Sequence, residues 1–131
     1  MDAGMVNTSG MRSSVPQEIQ GGWNWGGCLL GWIWCFAMRL PVWGALSLLS
    51  NLISIFFGLF NLVNFALAIV FGIKGNEWAW QNRRFESVEH FRKVQRIWMI
   101  WGIVITLFFI VFWVMIVLFV VGAVIAAQPW R

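Results

Sequence analysis

The sequence predicts an all-α membrane protein: a short Trp-rich N-terminal membrane helix, two long transmembrane helices, and an amphipathic helix connecting them on the cytoplasmic side. Three observations carry this expectation. Two uncharged apolar runs, Val42 to Ile73 and Ile97 to Ala127, are each about 31 residues long, well above the roughly 18 to 20 that cross ~30 Å of hydrocarbon. Six of the nine Lys and Arg residues fall between these runs, from Lys74 to Arg96, where the positive-inside rule expects a cytoplasmic loop. The composition agrees: 60% of residues are hydrophobic and 11% charged, with mean hydropathy +0.76, whereas soluble domains carry about 25% charge.

A chain of 131 residues makes one small domain. Residues 1–22 read as a polar, flexible tail holding Asp2, Arg12, Glu18, Pro16 and paired Gly21 and Gly22, and residues 23–131 as a single membrane domain. The tail lacks the ordered basic, apolar and small-residue regions of a secretory signal, so it is expected to remain on the mature protein. Met5 and Met11 are alternative starts to Met1.

The first helix is expected over about residues 24–38, before Arg39 and Pro41. At 1.5 Å per residue it rises only ~22 Å, so it either crosses a thin or tilted setting or lies partly in the interface. Its Trp23, Trp25, Trp32 and Trp34 suit both placements. Cys28 and Cys35 share a face but stand two turns apart, too far for an intrahelical disulfide, and behave as small apolar residues.

The second helix is expected over 42–73. At 100° per residue Ser47, Ser50, Asn51, Ser54, Gly58, Asn61, Ala68 and Gly72 form one small-polar stripe, which favours a single tilted helix over two pieces broken near Gly58 or Asn61. Lys74 and Gly75 suit its end, and Asn76 suits the cap of an amphipathic helix over 76–96. In that helix Arg83, Glu86, Glu89, His90, Lys93 and Arg96 share one arc, opposite Phe85, Val88 and Phe91, with Arg84, Arg92 and Gln95 among the latter. Ser87 is a second potential cap if the helix breaks. The basic residues Lys74, Arg83, Arg84, Arg92, Lys93 and Arg96 are expected at the membrane surface, meeting anionic headgroups. The last helix, 97–127, is a full span, which places the C-terminus and Pro41 outside. The side of the N-terminus depends on whether the first helix spans.

The segment Lys74-Gly75-Asn76-Glu77-Trp78-Ala79-Trp80, continuing into Asn82-Arg83-Arg84-Phe85-Glu86-Ser87, together with Trp23-Asn24-Trp25-Gly26 and Trp32-Ile33-Trp34, resembles a family of small bacterial integral membrane proteins of unknown function. The resemblance runs from about Val15 to Gly102 and implies residence in the bacterial cytoplasmic membrane. Some relatives place a zinc ribbon before the first helix, and this chain has no such cysteines there. The family supplies no activity.

Candidate sites are correspondingly few. Gly22-x-x-x-Gly26 and Gly27-x-x-x-Gly31 have the spacing that lets transmembrane backbones meet, and their expected partner is the stripe of Ser47, Asn51, Ser54, Gly58 and Asn61, or another chain. Asn51, Asn61 and Asn64 must find hydrogen bonds in hydrocarbon, either between helices or along a polar pathway. His90 reads as a solvated helix residue. No catalytic, metal or cofactor constellation stands out. The expected function is therefore helix packing without catalysis: an accessory or scaffolding subunit, or a homo-oligomer, with lipids and other membrane subunits rather than nucleic acid as partners. The alternatives are an oligomeric pore or carrier lined by Asn51, Asn61 and Asn64, and an accessory subunit binding lipid, quinone or pigment.

Overall fold

The computed structural model describes residues 6–130. They form five helices and no strand: α1 (Trp25–Leu30), α2 (Trp32–Ala37), α3 (Pro41–Phe56), α4 (Phe60–Asn82) and α5 (Val88–Ala127). One of them, α5, is long and apolar enough to cross a membrane.

The first segment is a V of two short helices rather than one helix over 24–38. Asn24 opens α1 by accepting from the Gly27 amide at 2.7 Å. Gly31 then adopts φ 48° and ψ −111°, a left-handed conformation open to glycine without a Cβ penalty, and α2 runs back. The return is visible in the contacts: Asn24 at the start of α1 and Trp34 on α2 both bond Gln95 of α5.

The run from 42 to 73 is also not one helix. It breaks at Phe57–Leu59, with Phe57 at φ −123° and ψ 88°. The arms then pack antiparallel, because Trp43 near the start of α3 stacks on Trp78 near the end of α4 (4.8 Å between ring centroids) and meets Phe71 edge-on at 6.3 Å. Gly58 is the weak point of the helical run, and nothing stands within 4 Å of where its Cβ would be. Pro41 consequently lies at the same end of the bundle as Gln81 and Asn82, not at the opposite end as a continuous span would require. At 16 residues α3 rises about 24 Å, a hairpin arm rather than a long transmembrane helix.

Lys74-Gly75-Asn76 does not end a helix. α4 continues through it to Asn82, because Gly75 is there for close approach: a Cβ would sit 3.0 Å from Asn24 Cβ and 3.1 Å from the Trp34 ring. The amphipathic helix expected over 76–96 is instead divided. Its first part closes α4, residues 83–87 form a loop, and Ser87 caps α5 by accepting from the His90 amide at 3.1 Å. From there one helix of 40 residues rises about 60 Å with no break at Ile97.

The described part of the tail, residues 6–22, is packed rather than free. Gly10 and Arg12 donate their amides to the last carbonyls of α4, Trp80 (2.7 Å) and Gln81 (3.0 Å), groups a helix end leaves without internal partners. Ser9, fully buried, bridges the Phe85 amide and carbonyl. Thr8 Oγ1 accepts from Trp80 Nε1, and Ile19 is buried in the core. The tail thus clamps the α4–α5 loop over an aromatic cluster in which Trp80 stacks on Phe85 and Phe91 meets both edge-on.

Candidate functional site

Two features of this architecture are candidates for function: a partly buried polar hub at the base of the bundle, and an apolar groove above it.

The hub joins four elements. Asn24 Nδ2 donates to Asn76 Oδ1 (2.8 Å) and to Gln95 Oε1 (3.0 Å), and Trp34 Nε1 donates to the same Gln95 oxygen at 3.0 Å. Asn24 also donates its own amide to the Gly72 carbonyl at 2.8 Å. Gln95 Nε2 points at Met38 Sδ, 3.4 Å away. Every group in it is uncharged, and among the described residues no three His, Cys, Asp or Glu side chains converge as a metal would require. The hub holds helices together. Its sequence signal was present: Gln95 is an amide on the apolar side of an amphipathic stretch, next to Phe91 and Val88.

The groove, about 580 Å³, lies between the α3–α4 hairpin and α5 and is floored by the turn between α1 and α2. Its walls are apolar except for Ser47, Asn51, Asn64 and Thr106. Asn51 donates to the Ser47 carbonyl one turn back (2.7 Å), whereas Asn64 Oδ1 is buried without a hydrogen-bond partner. Buried polar atoms usually find partners, so this unsatisfied acceptor is notable.

The expected site residues are distributed across both features. The glycines do not present one face to one helix. Gly26 abuts Trp98 of α5, where an added Cβ would meet Trp98 Cβ at 2.7 Å, and Gly102 of α5 reciprocates against Leu29. Gly27 faces Trp34 and the Phe71 carbonyl, and Gly22 lies beside Asn76. Only Gly31 meets the stripe, with Ser47 Oγ 3.5 Å from where its Cβ would be. Within the stripe, Ser47 and Ser50 are buried, Ser54 bonds the Asn51 carbonyl, and Gly58 and Asn61 are exposed at the hairpin tip. Asn51 and Asn64 share the groove; Asn61 does not, and donates instead to the Gly58 carbonyl at 3.0 Å. A pathway lined by all three asparagines is therefore not formed within this chain, because the break at Phe57–Leu59 removes Asn61 from their face.

The basic residues are likewise divided. Arg83 reaches the Ala37 carbonyl (3.4 Å), Arg84 the Asn7 and Ser9 carbonyls (3.2 and 3.3 Å), and Arg92 the Glu18 carbonyl (3.4 Å), so these guanidinium groups also bind the fold together. Lys74 pairs with Glu77 at 3.5 Å. Lys93 and Arg96 are exposed on α5. His90 belongs to the helix cap, its Nδ1 accepting from the Glu86 amide at 3.2 Å.

No protein-family model, curated protein or solved structure matches this chain.

Proposed function

We propose that the chain is a non-enzymatic integral membrane protein that acts by helix packing, as an accessory or scaffolding subunit of a larger membrane complex or as a homo-oligomer. The observation that carries this reading is the far half of α5. From Leu107 to Ala127 it has no charged or hydrogen-bonding aliphatic side chain, and nearly every residue is exposed. That stretch rises about 31 Å, the thickness of a bilayer core. An apolar surface of this extent on a lone chain demands lipid or protein cover.

The α3–α4 hairpin fits the same setting as a re-entrant element. Its tip exposes Phe56, Phe57 and Leu59, at 83%, 65% and 75% of their surface. Non-helical backbone at membrane depth needs internal hydrogen bonds, and here Phe60, Asn61 and Leu62 donate back to Phe57, Gly58 and Leu59. With Lys74 to Arg96 cytoplasmic, the packed tail and Pro41 lie on that side too, and α5 carries the C-terminus to the outside. The membrane would be the bacterial cytoplasmic membrane that the sequence resemblance implies.

Mass measurement of the protein extracted in mild detergent tests the packing role: assemblies heavier than one 15.1 kDa chain are expected. A strictly monomeric particle with no co-purifying subunit refutes it. A second reading is favoured by the free Asn64 acceptor beside the groove, which suits an amphiphile bringing a hydroxyl or amide donor. Lipid extraction and an absorbance spectrum of the purified protein distinguish a bound lipid, quinone or pigment from an empty groove.

A further inference from the structure

We propose that a cleft at the foot of α3 binds the phosphate of an anionic phospholipid, with an acyl chain of that lipid lying along α3. This site rests on the membrane reading above and adds a ligand class and the residues that take it. The cleft, about 360 Å³, is lined by Arg12, Arg39, Pro41, Val42, Trp43 and Trp78, with Gln81 and Asn82 from the end of α4. No carboxylate lines it.

The two arginines come from distant parts of the chain and are held in place by backbone contacts. They are the two non-glycine residues with positive φ among the described residues, 53° at Arg12 and 60° at Arg39. Left-handed backbone is unfavourable for arginine, so each is imposed by its neighbours. Arg12 is fixed by its amide to the Gln81 carbonyl (3.0 Å), and Arg39 by its amide to the Phe36 carbonyl (3.2 Å). Arg83, Arg84 and Arg92 direct guanidinium donors to chain carbonyls. The side chains of Arg12 and Arg39 meet no such acceptor among the described residues, and they share one cleft. Two arginines on the lining of an otherwise uncharged cleft match a phosphate, which arginine binds through paired donors.

The surroundings select a lipid over a free anion. Leu40, Pro41 and Val42 make part of the cleft's lining apolar. From it, Val42, Leu46 and Leu49 continue up α3 as an exposed apolar ridge, 68%, 50% and 54% exposed, at the spacing that aligns side chains on one helix face. The stacked Trp43–Trp78 pair forms the adjoining wall, and indoles settle at headgroup level.

The full chain in mild detergent, titrated with dioleoyl phosphatidylglycerol or dioleoyl phosphatidylcholine and followed by native mass spectrometry, tests the site. Phosphatidylglycerol is expected to bind more tightly, and affinity for it to fall about fivefold for each guanidinium removed and about 25-fold in Arg12→Gln/Arg39→Gln. Arg12→Lys/Arg39→Lys should retain most of the preference. Lys93→Gln/Arg96→Gln removes the same charge from the exposed surface of α5, where attraction to headgroups is diffuse, and should cost clearly less of the preference than Arg12→Gln/Arg39→Gln does. An unchanged preference in Arg12→Gln/Arg39→Gln, or an equal loss in Lys93→Gln/Arg96→Gln, overturns the site in favour of diffuse charge. Inorganic phosphate that displaces the lipid at equal concentration overturns the lipid assignment. Carbonate extraction of membranes separates the two levels: release of the chain refutes the membrane reading itself, whereas retention without lipid preference refutes only this site.

Discussion

Gln95→Met keeps the length of the side chain and removes the oxygen on which the hub converges. Three bonds disappear: those from Asn24 Nδ2 and Trp34 Nε1, and the weak one from Gln95 Nε2 to Met38 Sδ. The consequences for Asn24 and Trp34 differ. Asn24 keeps its bond to Asn76, but Trp34 is fully buried and its indole N–H has no other partner. Counting about 1 kcal/mol net for the Asn24 bond and about 1 to 3 kcal/mol for the orphaned indole donor, the expected loss is roughly 2 to 4 kcal/mol. Part of that penalty belongs to the indole N–H and vanishes when the donor is removed as well. Trp34→Phe carries its own packing cost, so the discriminating quantity is the coupling in a double-mutant cycle, expected at about 1 to 2 kcal/mol. Unfolding in mixed detergent followed by circular dichroism measures all four corners. Additivity of Gln95→Met and Trp34→Phe within about 0.3 kcal/mol would show that the hub does not couple α2 to α5.

Three further outcomes follow from the packing. Gly26→Ala should destabilise by about 1 to 3 kcal/mol because its Cβ would press on Trp98 Cβ and backbone; Gly58→Ala, with open space around it, should change stability by less than about 1 kcal/mol in the same unfolding assay. Ser87→Ala should cost about 1 kcal/mol and raise hydrogen exchange at the His90 amide, since it removes the cap of α5. The amides of Gly10, Arg12 and Phe85 should exchange slowly despite lying in or beside the tail, and rapid exchange at all three would contradict the clamp described above.

Hydrophobic patterning identified which segments are apolar but not where they turn. Ile55 to Val63 is apolar but for Gly58 and Asn61, so periodicity gave no reason to end a helix there. The small-polar stripe even argued for continuity. Aromatic contacts between Trp43 and residues Phe71 and Trp78 favour the antiparallel arrangement, and such long-range pairs leave no local signature. The tail departs from a free segment for a related reason. Its polar composition resembles a solvated segment, yet those same groups supply the donors that the end of α4 lacks. Ser87 is the converse case: a local cap signal, legible as an alternative in the sequence and used in the fold.

By itself the sequence determined an all-helical chain with a charge-free apolar C-terminal run and a basic segment before it, because composition and charge set solvent preference locally. Tertiary structure decided the rest. Whether Gly75 ended a helix or admitted a neighbour depended on Asn24 and Trp34, far away in sequence. Whether Asn24, Asn76 and Gln95 were caps, surface amides or one hub depended on bringing three helices within hydrogen-bond distance. Arg12 and Arg39 were unremarkable as sequence, and they became a candidate site because the fold of the tail and the turn after α2 set them in the same cleft. Helix formation and hydrophobicity are local properties, whereas the partner of a buried polar group is fixed only when distant segments meet.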